Sequence, residues 1–229
     1  MTKKITKLML NGEEYEIREY QAWWQPWADT YCYLPLVSDY VDYSWNSVAV
    51  TSDITSYDTS MFPWWTGKYI CVPQNNIIVA WADWTILFWI YPRNKNDSNV
   101  TVVAETANWN SLNFSRQVNA EFGVGAAAFP SGMWYTDNAW WAYDAWHLFW
   151  LSHEANWYIK WAWDWQAFTW TRIWDNVNFP LYFWRHVIQT SRSYWLLWQL
   201  KDIIIETKAR TDQEFSDYFN QTKWDYWIS

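Results

Sequence analysis

The hydrophobic pattern is densest at residues 83–92, Asp-Trp-Thr-Ile-Leu-Phe-Trp-Ile-Tyr-Pro, where 85–91 are β-branched, aromatic or aliphatic almost without interruption. The run opens on an Asp-Trp turn pair and closes on Pro92, which cannot donate to a ladder. It predicts a central strand. A strand that is apolar at nearly every position has to be covered on both faces, so its sheet needs another layer over it.

Shorter runs surround it. Residues 4–10 and 15–18 flank Asn11-Gly12 and predict a hairpin. A polar link over 21–29 follows, with Trp23, Trp24 and Trp27 around Pro26, so the main domain is expected to begin near Thr30. Further strands are predicted at 31–37, 48–51, 68–72, 100–106, 112–118, 121–129, 145–153, 158–163, 166–171, 181–187 and 200–208. Short turns separate several of them and no helical period intervenes. The pattern predicts an all-β, two-sheet antiparallel jelly-roll sandwich rather than βαβ units. One helix is expected at the end: Thr211 and Glu214 make a capping box, and Phe215, Tyr218 and Phe219 share one face. The polar residues after it are expected to fray. The expected division is 1–29 hairpin and linker, 30–222 sandwich, and 223–229 tail.

A net charge of -8 and a pI near 4.8 leave no basic patch, because Lys3, Lys4 and Lys7 are interrupted and lie in the first strand. Nucleic acid and anionic membrane are therefore poor partners. No apolar run is long enough to span a bilayer, and residues 1–11 are too short and too polar for a signal peptide's apolar region. Either the chain is not secreted by that route or it leaves the cell inside something else. Cys32 and Cys71, the only cysteines, sit in apolar strand-like runs. They read as two buried thiols, or as a disulfide between neighbouring strands.

The chain has 26 Trp and only 5 Gly, against an average Gly usage of about 7%, or roughly 16 in this length. Many Trp follow Asn or Asp between strand-like runs, as in Asp83-Trp84, Asn108-Trp109, Asn156-Trp157 and Asp164-Trp165. Hairpins favour Asn-Gly or Asp-Gly there, because the central residues take positive φ. One reading is that these Trp stand where the native protein has glycine, encoded by UGA in a bacterial lineage, or its phage, that reads UGA as glycine. Trp45, Trp84, Trp109, Trp157, Trp165, Trp174, Trp195, Trp224 and Trp227 are its best candidates, whereas Trp89, Trp161 and Trp163 look like genuine aromatics. The competing reading is an aromatic-rich protein with Trp platforms for sugar rings.

The order of features resembles the laminin-G-like, concanavalin A-like lectin and glucanase superfamily over roughly residues 30–220. Tyr33-Leu34-Pro35-Leu36 with Asp42-Tyr43-Ser44-Trp45-Asn46 is similar to its opening strand and Asp-x-Ser-Gly-Asn turn, with Trp in the glycine's place. Residues 85–92 resemble its Thr-Ile-Ser-Phe-Trp-Val-x-Pro strand, and Trp146-His147 its Trp-His strand. Residues 158–166 resemble the strand and Asp-Gly turn after that, and 181–185 its Leu-Tyr-Ile-Gly-Arg. Residues 200–205 and the helix resemble its closing elements. The resemblance implies a jelly roll that displays ligand-binding loops at one rim, often on a larger secreted or virion protein.

Catalysis in the glucanase branch uses a Glu-x-Asp-x-(x)-Glu pattern on one strand. It is absent, since Glu105, Glu121, Glu154 and Glu206 are isolated in sequence. No nucleophile elbow, phosphate loop or Cys-x-x-Cys knuckle occurs either. His147 and His153 share a strand face, but six residues separate them by roughly 20 Å, too far to bridge one metal. Asp39, Asp42 and Asn46, with Asp53 beyond, offer oxygens for calcium or are solvated turns. The most lectin-like stretch is 133–144, a loop holding Trp134, Tyr135, Asp137, Asn138, Trp141 and Asp144, where aromatic faces adjoin carboxylate and amide groups. These aromatics either bind a glycan or fold back on the sandwich.

The expected function is a non-catalytic binding or display module of a phage virion or bacterial surface protein. Its partners would be a glycan or surface protein, or other virion or surface subunits. A purely structural virion or surface domain, and a glycoside-active enzyme, are the alternatives. Recoding predicts that the intact protein from its native source weighs less than the literal sequence by a whole number of Trp-to-Gly differences. A mass equal to the literal sequence would exclude it.

Overall fold

The computed structural model describes residues 5–10, 13–18, 28–36, 39–53, 69–73, 76–79, 81–92, 101–106, 112–116, 122–126, 134–137, 145–155, 158–164, 166–170, 180–183 and 198–227. In chain order these form β1 (Ile5–Leu10), β2 (Glu13–Arg18), β3 (Thr30–Leu34), β4 (Thr51–Ser52), β5 (Ile70–Val72), β6 (Trp84–Pro92), β7 (Thr101–Thr106) and β8 (Leu112–Arg116). There follow β9 (Phe122–Ala126), β10 (Trp134–Asp137), β11 (His147–Glu154), β12 (Tyr158–Trp163), β13 (Gln166–Trp170), β14 (Leu181–Phe183), β15 (Trp198–Glu206) and α1 (Asp212–Trp227). The N-terminal hairpin pairs β1 with β2 as a sheet of its own, with Ile5 opposite Arg18. The other strands make a seven-stranded sheet, β10-β9-β8-β7-β14-β5-β4, and a six-stranded sheet, β13-β12-β11-β6-β15-β3. Every pairing is antiparallel, as the all-β sandwich pattern predicts.

β6 lies between β11 and β15, and its two faces have different coverings. Side chains alternate across a strand. Phe88 stacks on Phe149 of the same sheet and meets Phe183 of the seven-stranded sheet edge-on, so its side of β6 faces the sandwich interior. Leu87 and Trp89, on the other side, join Leu148, Trp150 and Ile204 beneath Phe215, Tyr218, Phe219 and Tyr226 of α1. Trp89 stacks on Tyr226 at 4.1 Å, and Trp150 on Phe215 at 4.7 Å. The helix is thus the second cover that the unbroken apolar run requires. Burying each such side chain is worth about 1.5–3 kcal/mol.

Two polar devices fasten the helix. At the first, Glu206, closing β15 with no exposure, takes a two-pronged hydrogen bond from Arg210, Nε to Oε2 at 2.7 Å and Nη2 to Oε1 at 2.8 Å. Thr85 Oγ1 of β6 donates to Lys208 O at 2.7 Å and accepts from Arg210 N at 3.1 Å. The predicted capping box forms: Glu214 N donates to Thr211 Oγ1 and Thr211 N donates to Glu214 Oε2. Burial alone would raise the Glu214 carboxyl, but donors from Lys208, Thr211 and Arg210 outweigh it and hold the group at about 2. The second device is Asp202, an extra residue in β15 between Lys201 opposite Trp89 and Ile204 opposite Leu87. Its φ of 48° marks a bulge, which re-aims the carboxylate. Tyr33 of β3 and Tyr226 of α1 both donate their hydroxyls to it.

Three expectations change. The helix runs to Trp227, so residues 221–227 are helical and not a fraying tail; Thr222 and Tyr226 extend its buried stripe. Residues 134–137, taken as loop, are strand β10. Of the two readings of the cysteines, buried thiols holds: Cys32 and Cys71 are both free and buried, on different sheets. Trp84 is no turn-tip residue: it is fully buried, stacks on His153 at 5.0 Å and donates Nε1–H to Val79 O at 3.0 Å. Among the described residues the positive-φ non-glycines are Leu36, Ser47, Asp164 and Asp202, none of them Trp. Trp45 and Trp84 therefore lack the backbone that would demand glycine, and Trp224 and Trp227 lie in a helix, where glycine is disfavoured. Trp109, Trp157, Trp165, Trp174 and Trp195 lie outside the described residues. Among the described residues no helix is long and apolar enough to cross a membrane.

Arg210→Met leaves the buried Glu206 carboxylate unpaired and should cost about 3–5 kcal/mol, whereas Glu206→Gln leaves Arg210 its bond to Glu214 and should cost less. The double replacement should recover much of that, and a double-mutant cycle in urea unfolding measures it. Additive losses would show that the two groups do not depend on each other. A second expectation concerns His153, whose Nδ1–H donates to Ala82 O at 2.8 Å and whose buried Nε2 has no hydrogen-bond partner. Burial lowers its pKa below 6.5, against smaller opposing effects of Ala82, Asp83 and Glu154. A depressed folded-state pKa means the unfolded chain binds the proton first. The contribution is therefore present above about pH 6.5 and lost as pH falls toward the folded value. His153→Gln should flatten stability against pH in that window, and an unchanged slope would refute the assignment.

Candidate binding surface

β3 is an edge strand of the six-stranded sheet, and an edge leaves N–H and C=O groups unpaired. Residues 39–48 lie along it and supply the missing partners, largely with side chains. Asp42 Oδ1 accepts from Tyr33 N at 2.8 Å, and Tyr43 N donates to Tyr33 O at 2.9 Å. Asn46 Nδ2 donates to Thr30 O at 2.8 Å, and Ser44 Oγ lies 2.9 Å from Tyr31 O. Asp42 also gathers its own loop, accepting from Ser44 N at 2.9 Å, Ser44 Oγ at 2.7 Å and Val48 N at 2.7 Å. Asp42, Ser44 and Asn46 thus all bond to β3 from a segment that turns at 44–46.

The residues interleaved with them are exposed. Val41 is 55% exposed, Tyr43 54% and Trp45 85%, a run of large apolar side chains on a backbone that Asp42 holds fixed. Asp39 stands at its margin, with Oδ1 accepting from Val41 N at 3.1 Å and Oδ2 from Tyr43 OH at 3.2 Å. The Tyr43 hydroxyl's hydrogen bond to Asp39 raises its pKa, as does that carboxylate's charge. A rigid loop presenting aromatic faces beside a carboxylate and an amide can take a ligand with an apolar face and hydroxyl edges.

The residues proposed for calcium, Asp39, Asp42 and Asn46, thus lie together in one loop, where the two carboxylates accept from backbone and side-chain donors and the Asn46 amide donates to Thr30 O and Tyr31 O. Among the described residues no group of three or more His, Cys, Asp or Glu is arranged to hold a metal. The lectin-like stretch divides. Trp134, Tyr135 and Asp137 lie on β10, an edge of the seven-stranded sheet, opposite Gly125, Val124 and Phe122. Asn138, Trp141 and Asp144 fall outside the described residues.

The histidines have structural neighbours. His147 Nδ1 lies 2.7 Å from Asp164 Oδ2, and Asp164, at φ 50° in the β12–β13 turn, also accepts from Leu148 N at 2.9 Å. Glu154 lies 3.4 Å from Lys160 across the β11–β12 pair. Sequence inspection missed Val41, Tyr43 and Trp45. The available signal was their interleaving with Asp42, Ser44 and Asn46, polar residues whose side chains can bond to a neighbouring strand.

No protein-family model matches the chain, and no curated protein matches it in sequence. Solved structures do share its fold. The receptor-binding domain of botulinum neurotoxin D superposes with a TM-score of 0.66 at 15% identity, over 84% of this chain and 52% of that one. The serotype D ligand-binding domain in complex with N-acetylneuraminic acid gives 0.64 at 15% identity, over 84% and 50%. The binding domain of Paraclostridial Mosquitocidal Protein 1 gives 0.63 at 15% identity, over 84% and 52%. The chain therefore spans about half the length of these structures. At this identity the likeness establishes the fold alone, an all-β sandwich.

Proposed function

We propose that the chain is a non-catalytic glycan-recognising module of the laminin-G-like, concanavalin A-like type, displayed on a phage virion or a bacterial surface. Residues 1–29 would be an appendage to the sandwich. The observation that carries this reading is the stripe of Val41, Tyr43 and Trp45 on the Asp42-braced loop. Large exposed aromatics are costly on a solvated surface unless something covers them. A sugar suits them, because its C–H face stacks on aromatic rings while its hydroxyls reach groups such as Asp39 and Asn46. The shared fold adds support, since the neighbours are described as binding domains and one of them holds N-acetylneuraminic acid. Tyr135 and Asp137 on β10, with Asn138, Trp141 and Asp144 beyond it, are proposed as a second glycan-contacting stretch.

A glycan array probed with the whole chain tests the reading. Reproducible binding is expected, weakened at least about ten-fold, or about 1.4 kcal/mol, by Tyr43→Ala or Trp45→Ala. Both side chains are largely exposed, so melting temperature should hardly move. Binding to no glycan would overturn the reading, and so would glycine at position 45 in protein from the native source. No reducing sugar should be released from bound polysaccharide.

A further inference from the structure

The stripe at residues 41–45 lies in the most one-signed part of the chain. Between Arg18 and Lys68 there is no Lys, Arg or His, while Glu19, Asp29, Asp39, Asp42, Asp53 and Asp58 all fall there. A basic group from a neighbouring element could offset this; among the described residues, those beside β3 in its sheet belong to β15, which pairs with β3, and to the segment after it. They are otherwise engaged. Lys201 Nζ sits 5.3 Å from the Trp146 ring centroid. Lys208 Nζ donates to Glu214 Oε1 at 2.6 Å, and Arg210 is committed to Glu206 and Glu214. The chain as a whole carries a charge of -8.

Resting on the glycan-binding reading above, we infer that the sugar taken at residues 41–45 is uncharged: a neutral pyranoside, rather than a sialylated, uronic or sulfated one. Asp39 and Asn46 are acceptors placed for sugar O–H donors. Each Asp39 oxygen receives one hydrogen bond, from Val41 N or from Tyr43 OH, and a carboxylate oxygen has room for a second. An anionic sugar would bring its own carboxylate or sulfate to a loop that, among the described residues, has no cation on it to meet it. Like charges so placed reject the wrong ligand as effectively as good contacts select the right one. This chain thereby differs from the botulinum domain described with N-acetylneuraminic acid.

The test compares two immobilised oligosaccharides of the same core, one ending in galactose and one in sialic acid on that galactose, for binding of the whole chain. The neutral one should bind at least about ten-fold tighter. Raising salt from about 0.01 M to about 1 M shortens the screening length from about 30 Å to about 3 Å. Neutral binding should then hold while the gap narrows. Asp39→Asn keeps an acceptor and removes the charge, so it should narrow the gap at low salt. Tighter binding of the sialylated sugar, or equal binding at both salts, would overturn the inference and leave glycan recognition standing. Binding of neither sugar, nor of any neutral glycan on the array, would remove both. Capture of a basic peptide with no glycan bound would assign the acidic stripe to a cationic partner instead.

Discussion

Trp89 has to be kept from water on a sheet face that the second sheet does not cover. That requirement organises the molecule. β6 is apolar toward both sides, so a two-layer sandwich alone would leave Leu87, Trp89, Leu148 and Trp150 open. The chain meets the requirement with its last segment, and both polar clusters of that region serve the same end. Glu206 and Arg210 fix where the chain leaves β15, and Thr85 ties that exit to the central strand. Asp202 gathers Tyr33 and Tyr226 on one carboxylate. Burial and the nearby negative charge raise both phenol pKa values, so each stays a donor across the ordinary pH range.

Most of the sandwich was legible because period-two alternation and dense turn signals are local properties of the sequence. The elements that escaped have specific reasons. The helix looked finished at Phe219 because Thr222 interrupts its apolar stripe with a hydroxyl; in the fold that hydroxyl donates to Tyr218 O, and the stripe resumes at Tyr226. β10 is too short to show its period beside the polar residues that follow it. Asp42 illustrates a deeper ambiguity: a carboxylate in an oxygen-rich loop has the same sequence context whether it meets a cation or backbone N–H groups. Only the register of the loop against β3 distinguishes them.

The tryptophans show how context divides one residue type. Trp84, Trp89, Trp146 and Trp150 are buried in the fold, and they account for some of the abundance by packing alone. Trp45, Trp81 and Trp224 are exposed, and packing gives them no such account. Trp224 has Lys223 at 5.2 Å over its ring, an arrangement that shields part of the indole. Trp45 has no such companion among the described contacts, which singles it out on the loop along β3.

The division of labour in residues 41–46 has an evolutionary consequence. The side chains of Asp42, Ser44 and Asn46 carry the hydrogen bonds to the edge of β3, whereas those of Val41, Tyr43 and Trp45 make none to it. Mutation can therefore rewrite the second triplet freely while selection holds the first one constant. Related chains would be expected to diverge in what they recognise far faster than in how they fold, with the boundary between the two falling between adjacent residues.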